Sequence, residues 1–253
     1  MKTIQLYTIL LLIILVGAGA QAQKNNIEKP TIVFVHGVWA DGTSFSNQIT
    51  ALQGKGYKVV SVQNPVTSLA EDVAATKRAI ELITGKVILV GHSWGGFVIS
   101  QFSNEPKVAG LVYLAGFAPE EGETIVSLNK NASETELSKY LVPSNGYVFL
   151  SEQGVKTVFA GDLNTKQQEL IYATQIPASH TIFADKSEEP AWKNKPSWYV
   201  VAKNDKTINP DLERFMAVRM KAKTVELESS HVVMNSKPNE VLKVIEEAVN
   251  FKY

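Results

Sequence analysis

The chain contains no cysteine. That excludes a disulfide framework, a thiolate nucleophile, a cysteine-based zinc site and a lipidated N-terminal cysteine. Histidine is scarce, with four in 253 residues, so few side chains can act as a general base near neutral pH. Charge of neither sign is in excess, since Lys plus Arg and Asp plus Glu both number 25. No basic surplus points to nucleic acid, and no acidic tail points to a disordered solvating segment. The phosphate loop G-x-x-x-x-G-K-[ST], the metal motif H-E-x-x-H and any dense His/Asp cluster are missing from the sequence, so neither a metal nor a cofactor is expected. Glycines around Gly91 do not have the G-x-G-x-x-G spacing of a dinucleotide fingerprint. A mean hydropathy of −0.03 excludes a multi-span membrane protein.

One long apolar run is present, at the N-terminus. Lys2 precedes an unbroken apolar stretch at residues 9–16, and Ala20-Gln21-Ala22 follows as a small-x-small cleavage pattern. The stretch is shorter than the roughly 20 residues a helix needs to span a bilayer. The expectation is a secretory signal peptide over residues 1–22, cleaved to leave no stable membrane anchor. The protein would then be exported, either periplasmic or secreted, with a single domain over residues 23–253.

Within that domain, short apolar runs alternate with helical patterns. Residues 31–36, 58–62, 87–90 and 108–115 read as strands, and two of the intervening segments carry helical periodicity, most clearly at 68–84 through Leu69, Val73, Ile80 and Ile83. Alternation lapses over about residues 117–196. That stretch offers short helical candidates near 133–141, 151–159 and 165–175, with weak apolar pieces such as Tyr147-Val148-Phe149-Leu150. An insertion of this length between two strands is expected to form a helical cap. Alternation resumes with a strand at 198–202, a helix opened by Asn209-Pro210, a strand at 224–227 and a closing helix after Pro238. The pattern predicts an α/β fold, a mostly parallel sheet with helices on both faces and a cap inserted before the last two strands. Ligands in such sheets bind beyond the carboxyl ends of the strands.

The most informative stretch is Val87-Ile88-Leu89-Val90-Gly91-His92-Ser93-Trp94-Gly95-Gly96. An apolar strand runs into G-x-S-x-G, and a helical segment follows, which is the setting of a nucleophile elbow. The three fixed positions alone would match by chance in roughly one chain in ten of this length; the strand before and helix after give the motif its weight. A serine hydroxyl needs a positioned base. His36 and His92 adjoin glycine turns and read as loop-shaping groups, and His180 lies in the insertion. His231, between the last strand and the last helix, can lean over the sheet toward Ser93. An imidazole in turn needs a carboxylate to set its tautomer. Asp205 lies in the loop after the penultimate strand, whereas Asp211 reads as a first-turn helix residue and Asp185, Glu188 and Glu189 as solvated charges. The order Ser93, Asp205, His231 is that of α/β-hydrolases. Acyl transfer also requires donors for the developing oxyanion, expected from the backbone N–H groups of Trp94 and Val38. Trp39 and Trp94 would wall the pocket or pack in the core.

From about Thr31 onward the chain resembles small α/β-hydrolase esterases, a group that includes plant methyl esterases, hydroxynitrile lyases and bacterial esterases of similar build. The matching segments are Val35-His36-Gly37-Val38-Trp39, Gly91-His92-Ser93-Trp94-Gly95-Gly96, Ala202-Lys203-Asn204-Asp205 and Ser230-His231. The resemblance implies a cofactor-free Ser-His-Asp mechanism beneath a cap. Ser93 stands where dehalogenases and many epoxide hydrolases of this fold carry an aspartate, which disfavours those reactions. The expected function is a serine carboxylesterase for small to medium apolar esters. Lyase, amidase or perhydrolase chemistry on the same triad, or a ligand-binding protein with little turnover, are the alternatives. Tyr140, Tyr147, Phe149, Phe159 and Phe183 are the aromatics expected around an apolar pocket.

Overall fold

The computed structural model describes residues 29–253, and the expected leader at 1–22 lies outside them. In chain order the elements are β1 (Thr31–Val35), α1 (Ser46–Gly54), β2 (Val59–Val62), α2 (Leu69–Glu81), β3 (Val87–His92), α3 (Trp94–Ile99) and β4 (Val108–Leu114). The insertion holds α4 (Ile125–Leu128), β5 (Leu141–Ser144), β6 (Tyr147–Leu150), α5 (Glu152–Gly154), α6 (Thr165–Thr174) and β7 (Ala178–Ser179). The chain then returns through β8 (Ser197–Ala202), α7 (Pro210–Arg219), β9 (Lys223–Leu227), α8 (Val233–Ser236) and α9 (Pro238–Val249).

Six parallel strands form the main sheet in the order β2-β1-β3-β4-β8-β9. Helices flank it, with α1 packing on α9 and α2 on α3. Every residue of β1, β3, β4 and β8 is buried, so these strands are apolar on both faces and read as continuous runs. The edge strand β9 is largely exposed. That leaves it free to carry Lys223, Thr224 and Glu226 among its apolar residues. Helix α2 starts where its chemistry dictates: the Ser68 hydroxyl caps the Glu71 N–H at 3.2 Å, and Glu71 and Asp72 occupy the first turn.

The strand order creates the site. The chain leaves β1 for β2 on one side, then crosses back to place β3 on the other. The crevice at this switch lies beyond the carboxyl ends of β1 and β3. The loops opening into it are residues 36–41 and the turn at Ser93.

The insertion differs from the helical cap expected from sequence. It contains a three-stranded antiparallel sheet, β5-β6-β7, beside its short helices. Asn145 and Gly146 both have positive φ (49° and 82°), and Ser144 pairs directly with Tyr147. An Asn-Gly pair with both residues left-handed is the favoured two-residue hairpin turn. Along β6, Val148 and Leu150 point inward while Tyr147 and Phe149 point out. The aromatics at 147 and 149 are therefore on the outer surface of the insertion and do not line the pocket.

Close packing at the elbow has a direct consequence. A Cβ at Gly95 would lie 2.1 Å from the Val35 carbonyl oxygen, far inside contact distance, and the atoms it meets are backbone that cannot swing aside. Gly95→Ala is expected to lower stability by about 3 kcal/mol or more, read as the midpoint of chemical denaturation. An unchanged midpoint would show that the turn has room the structure does not reveal.

Candidate active site

Ser93 ends β3 and precedes α3 with φ 53° and ψ −121°. For an L-residue such a conformation costs on the order of 1–3 kcal/mol and persists only where the surroundings enforce it. Here the Ser93 N–H donates to the Leu114 carbonyl (3.2 Å), while the Ser93 carbonyl accepts from the N–H groups of Gly96 (2.9 Å) and Phe117 (3.0 Å). The turn faces the side chain into a cavity of about 660 Å³ enclosed by the sheet loops and the insertion.

The loops after β8 and β9 hold the second half of the site. They continue the strand pairing as loops, with Lys203 N–H bonded to Leu227 O (2.9 Å) and Asn204 N–H to Ser229 O (3.1 Å). This brings Asp205 to His231. Asp205 Oδ1 accepts from the N–H groups of Thr207 (2.6 Å) and Ile208 (3.0 Å), and Oδ2 accepts from His231 Nδ1 at 2.5 Å. A carboxylate can only accept, so Nδ1 carries the proton and Nε2 presents its lone pair. Among the described residues neither His231 Nε2 nor the Ser93 hydroxyl has a hydrogen-bond partner.

The two other buried histidines shape these loops, as their positions beside glycine turns predicted. His36 Nδ1–H donates to Gly37 O (2.8 Å), and its Nε2 accepts from the Asn64 N–H (2.8 Å). His92 Nε2–H donates to the His231 carbonyl (3.1 Å). Burial holds both below the usual imidazole range. Each is therefore a neutral group of fixed tautomer. His180 bonds to Gly146 O in the insertion hairpin.

Beyond β1, the loop passes close under the serine: a Cβ at Gly37 would lie 2.7 Å from Ser93 Cβ. The backbone N–H groups of Val38 and Trp94 donate to no acceptor among the described residues, and both residues line the cavity with Ser93. Trp39 and Trp94 line it too, and both are almost wholly buried, so wall and core are the same place. Trp39 bonds through its N–H to Ile176 O (3.0 Å) and through Nε1 to Val148 O (2.9 Å). Trp94 donates its indole N–H to Asp72 at 2.6 Å. Leu137, Leu141, Phe183 and Leu212 supply apolar walls. Phe159 instead packs 5.1 Å from the His231 ring, centroid to centroid.

The chain from Ile32 to Val244 matches the family model of the alpha/beta hydrolases. It belongs to the alpha/beta hydrolase family. Its relatives include a carbendazim hydrolyzing esterase from Nocardioides sp. (strain SG-4G), 32% identical over 126 residues, a match covering 44% of this chain and 51% of that protein. The chain thus spans about half the length of that relative. A probable hydrolase R7 from Phoma sp. is 25% identical over 247 residues, covering 87% and 98% of the two chains. Among solved structures, an extracellular alpha/beta-hydrolase from a Paenibacillus species superposes with a TM-score of 0.73 at 18% identity, covering 88% of this chain and 100% of the other. A methylesterase from Arabidopsis gives 0.72 at 21% identity, with 88% and 100% covered.

Three contributors to this hydrolase site were not evident from sequence. Asp162, in the insertion, accepts from both the N–H (2.9 Å) and hydroxyl (2.5 Å) of Ser230, next to His231. Asp185, expected to be a solvated charge, accepts from the Leu69 N–H at 2.7 Å and ties the insertion to the start of α2. Asp211, by contrast, lies in the first turn of α7 as the sequence predicts and pairs with Arg214 at 2.8 Å.

Asp72 is the third. It is buried and accepts from Trp94 Nε1 and, at 2.9 Å, from the Val66 N–H. No acidic residue on a helix that otherwise reads as amphipathic signals such a role. Burial pushes its carboxyl up to about 6, against the opposing pull of those two hydrogen bonds. The folded value lies above that of an unfolded aspartate, about 3.9, so the folded state binds more protons between about pH 4 and 6. Stability contributed by this group is therefore highest below about pH 4 and declines as pH rises through about 6. Asp72→Asn removes the titration. The melting temperature of the native protein minus that of the variant should fall from pH 4 to pH 6.5 and then level off; a difference independent of pH would contradict the assignment.

Proposed function

We propose that this alpha/beta hydrolase is a carboxylesterase in which Ser93 attacks the ester, His231 moves the proton and Asp205 orients His231. The observation that carries the reading is a strained serine and two unpaired backbone N–H groups lining one cavity, together with an imidazole fixed by a carboxylate at 2.5 Å in the loops after β8 and β9. In acylation, His231 Nε2 accepts the Ser93 proton as Oγ adds to the ester carbonyl. The Val38 and Trp94 N–H groups then receive the oxyanion, a role in which one donor is typically worth about 2.7–4 kcal/mol. His231 returns the proton to the departing alcohol. Water adds to the acyl-serine with His231 again as base, and the acid leaves.

Cavity volume and lining support small to medium apolar esters: about 660 Å³ falls within the roughly 300–1,000 Å³ usual for small-molecule sites, and Leu137, Leu141, Phe183 and Leu212 offer no charge. Esterase-named relatives, among them the carbendazim hydrolyzing esterase and the methylesterase, support ester hydrolysis as the reaction class. The leader pattern at residues 1–22 supports export as part of the same proposal.

A p-nitrophenyl ester series of increasing acyl length, run on the purified protein and on Ser93→Ala, tests the mechanism. The variant should lose at least about 10⁴-fold in kcat while the native protein shows an optimum at short to medium chains. Full activity in Ser93→Ala would refute the serine mechanism.

A further inference from the structure

Directly behind Asp205 lies a second buried carboxyl that the mechanism above does not use. Glu213, in the first turn of α7, is fully buried. Its Oε2 accepts from the Ala202 N–H at 2.9 Å. Its Oε1 is buried and receives no hydrogen bond from any donor among the described residues, and both acids are anchored on Ala202, whose carbonyl accepts from the Asp205 N–H at 3.1 Å, so that the two carboxyls act on each other. We propose that Glu213 is a positioning residue, a neutral carboxylic acid that donates its one proton to the Asp205 carboxylate and braces the Asp205–His231 pair from behind. The proposal rests on the esterase reading, in which Asp205 orients His231.

Two acceptors in contact need a proton between them, and the surrounding donors decide which group owns it. Asp205 collects three: the N–H groups of Thr207 and Ile208 and the Nδ1–H of His231. Glu213 collects one, from Ala202. The negative charge therefore settles on Asp205 and the proton on Glu213. Among the described residues no lysine or arginine bonds to either carboxyl. Arg214, the neighbouring guanidinium, spends its N–H groups on Glu226 and Asp211. Tyr199, beneath the pair on β8, donates its hydroxyl to Gly116 O at 2.5 Å. His92 donates its Nε2–H to the His231 carbonyl and is held neutral by burial. Burial and the Asp205 charge both act on Glu213 in the same direction, raising it far above the ordinary carboxyl range.

The arrangement has a purpose in the proposed chemistry. When His231 becomes an imidazolium, Asp205 must remain ionised and in place. A neutral donor behind it holds the carboxylate without adding a second negative charge.

Glu213→Gln supplies the discriminating variant, because an amide is also a neutral donor and acceptor of the same shape. Infrared difference spectra of the native protein at pH 7 against Glu213→Gln should show a protonated-carboxyl C=O stretch lost in the variant. The variant should keep kcat within about twofold, with the acid limb of kcat/KM unmoved. Glu213→Leu, which removes the donor, should lower kcat at least tenfold with KM little changed. The proposal is overturned if the native protein lacks the infrared band, if the Gln variant moves the acid limb down by about a unit (the loss of a real charge), or if folded Glu213→Leu keeps native kcat. The infrared measurement needs no substrate. Absence of ester turnover with the band present would thus count against the esterase reading and not against the protonated Glu213.

Discussion

The backbone at Gly95 presses so closely on the end of β1 that no side chain fits between them: a Cβ there would come within 2.1 Å of Val35 O and 3.0 Å of His36 O. This contact follows from the strand order. Strands β1 and β3 are neighbours in register, Val35 opposite Gly91, and helix α3 must start immediately above them. A chain that turns within so few residues has to put one of them in an unfavourable conformation, and that residue is Ser93. The three backbone hydrogen bonds to Ser93 offset the local cost, and its hydroxyl stands clear of the sheet. The same closeness puts Gly37 against the serine, and Val38, the next residue, lines the same cavity as Trp94.

Strain is distributed over the whole carboxyl edge. Each loop following the first four parallel strands contains one non-glycine residue with positive φ: Trp39 after β1, Val66 after β2, Ser93 after β3 and Ala115 after β4. Each is tied down by its own hydrogen bonds. The Trp39 N–H reaches Ile176 O, the Val66 N–H reaches Asp72, and the Ala115 N–H reaches Val200 O. The loops after β8 and β9 differ, being zipped to each other by extended pairing. They hold the hydrogen-bonded Asp205 and His231 side chains, whereas the strained loops after β1 and β3 line the cavity and carry the unpaired Val38 and Trp94 N–H groups. Rigid support from several elements is what a preorganised site requires.

Much of this was legible in the chain itself. Continuous apolar runs identify the four fully buried strands, and Pro210 and Pro238 mark the starts of α7 and α9. Ser93, Asp205 and His231 could be singled out because each follows a strand in a fold whose ligands bind at that edge. The insertion was less legible. Its Asn145-Gly146 turn was a usable hairpin signal, but the short flanking strands have too few residues for a period to stand out from helical noise. Tyr147 and Phe149 were assigned to the pocket on composition alone, and strand alternation sends them outward. Asp72, Asp162, Asp185 and Glu213 lay beyond sequence reasoning for a common reason. Their partners are 6 to 116 positions away on other elements, past the reach of local pattern, or, as with Val66, on a loop whose course nothing local predicts.

Those contacts also bear on how substrate selectivity can arise. The insertion bonds to the chain following β1, β2, β8 and β9: Val148 O to Trp39, Ser179 N–H to Val66 O, Val158 O to the Thr207 hydroxyl, and Asp162 to Ser230 and Ser236. Phe159 rests against His231 itself. The insertion therefore does two things at once, walling the cavity and holding Trp39 and His231 in position. Changes at Phe159 or Asp162 would disturb the proton-transfer geometry along with the pocket shape. The exposed lining residues Asn129, Lys130, Ser133, Glu134 and Ser138 have no such second duty toward Ser93 or His231. They sit where the cavity meets solvent, and variation there can retune which molecules enter while the hydrogen bonds around Ser93 and His231 stay as they are.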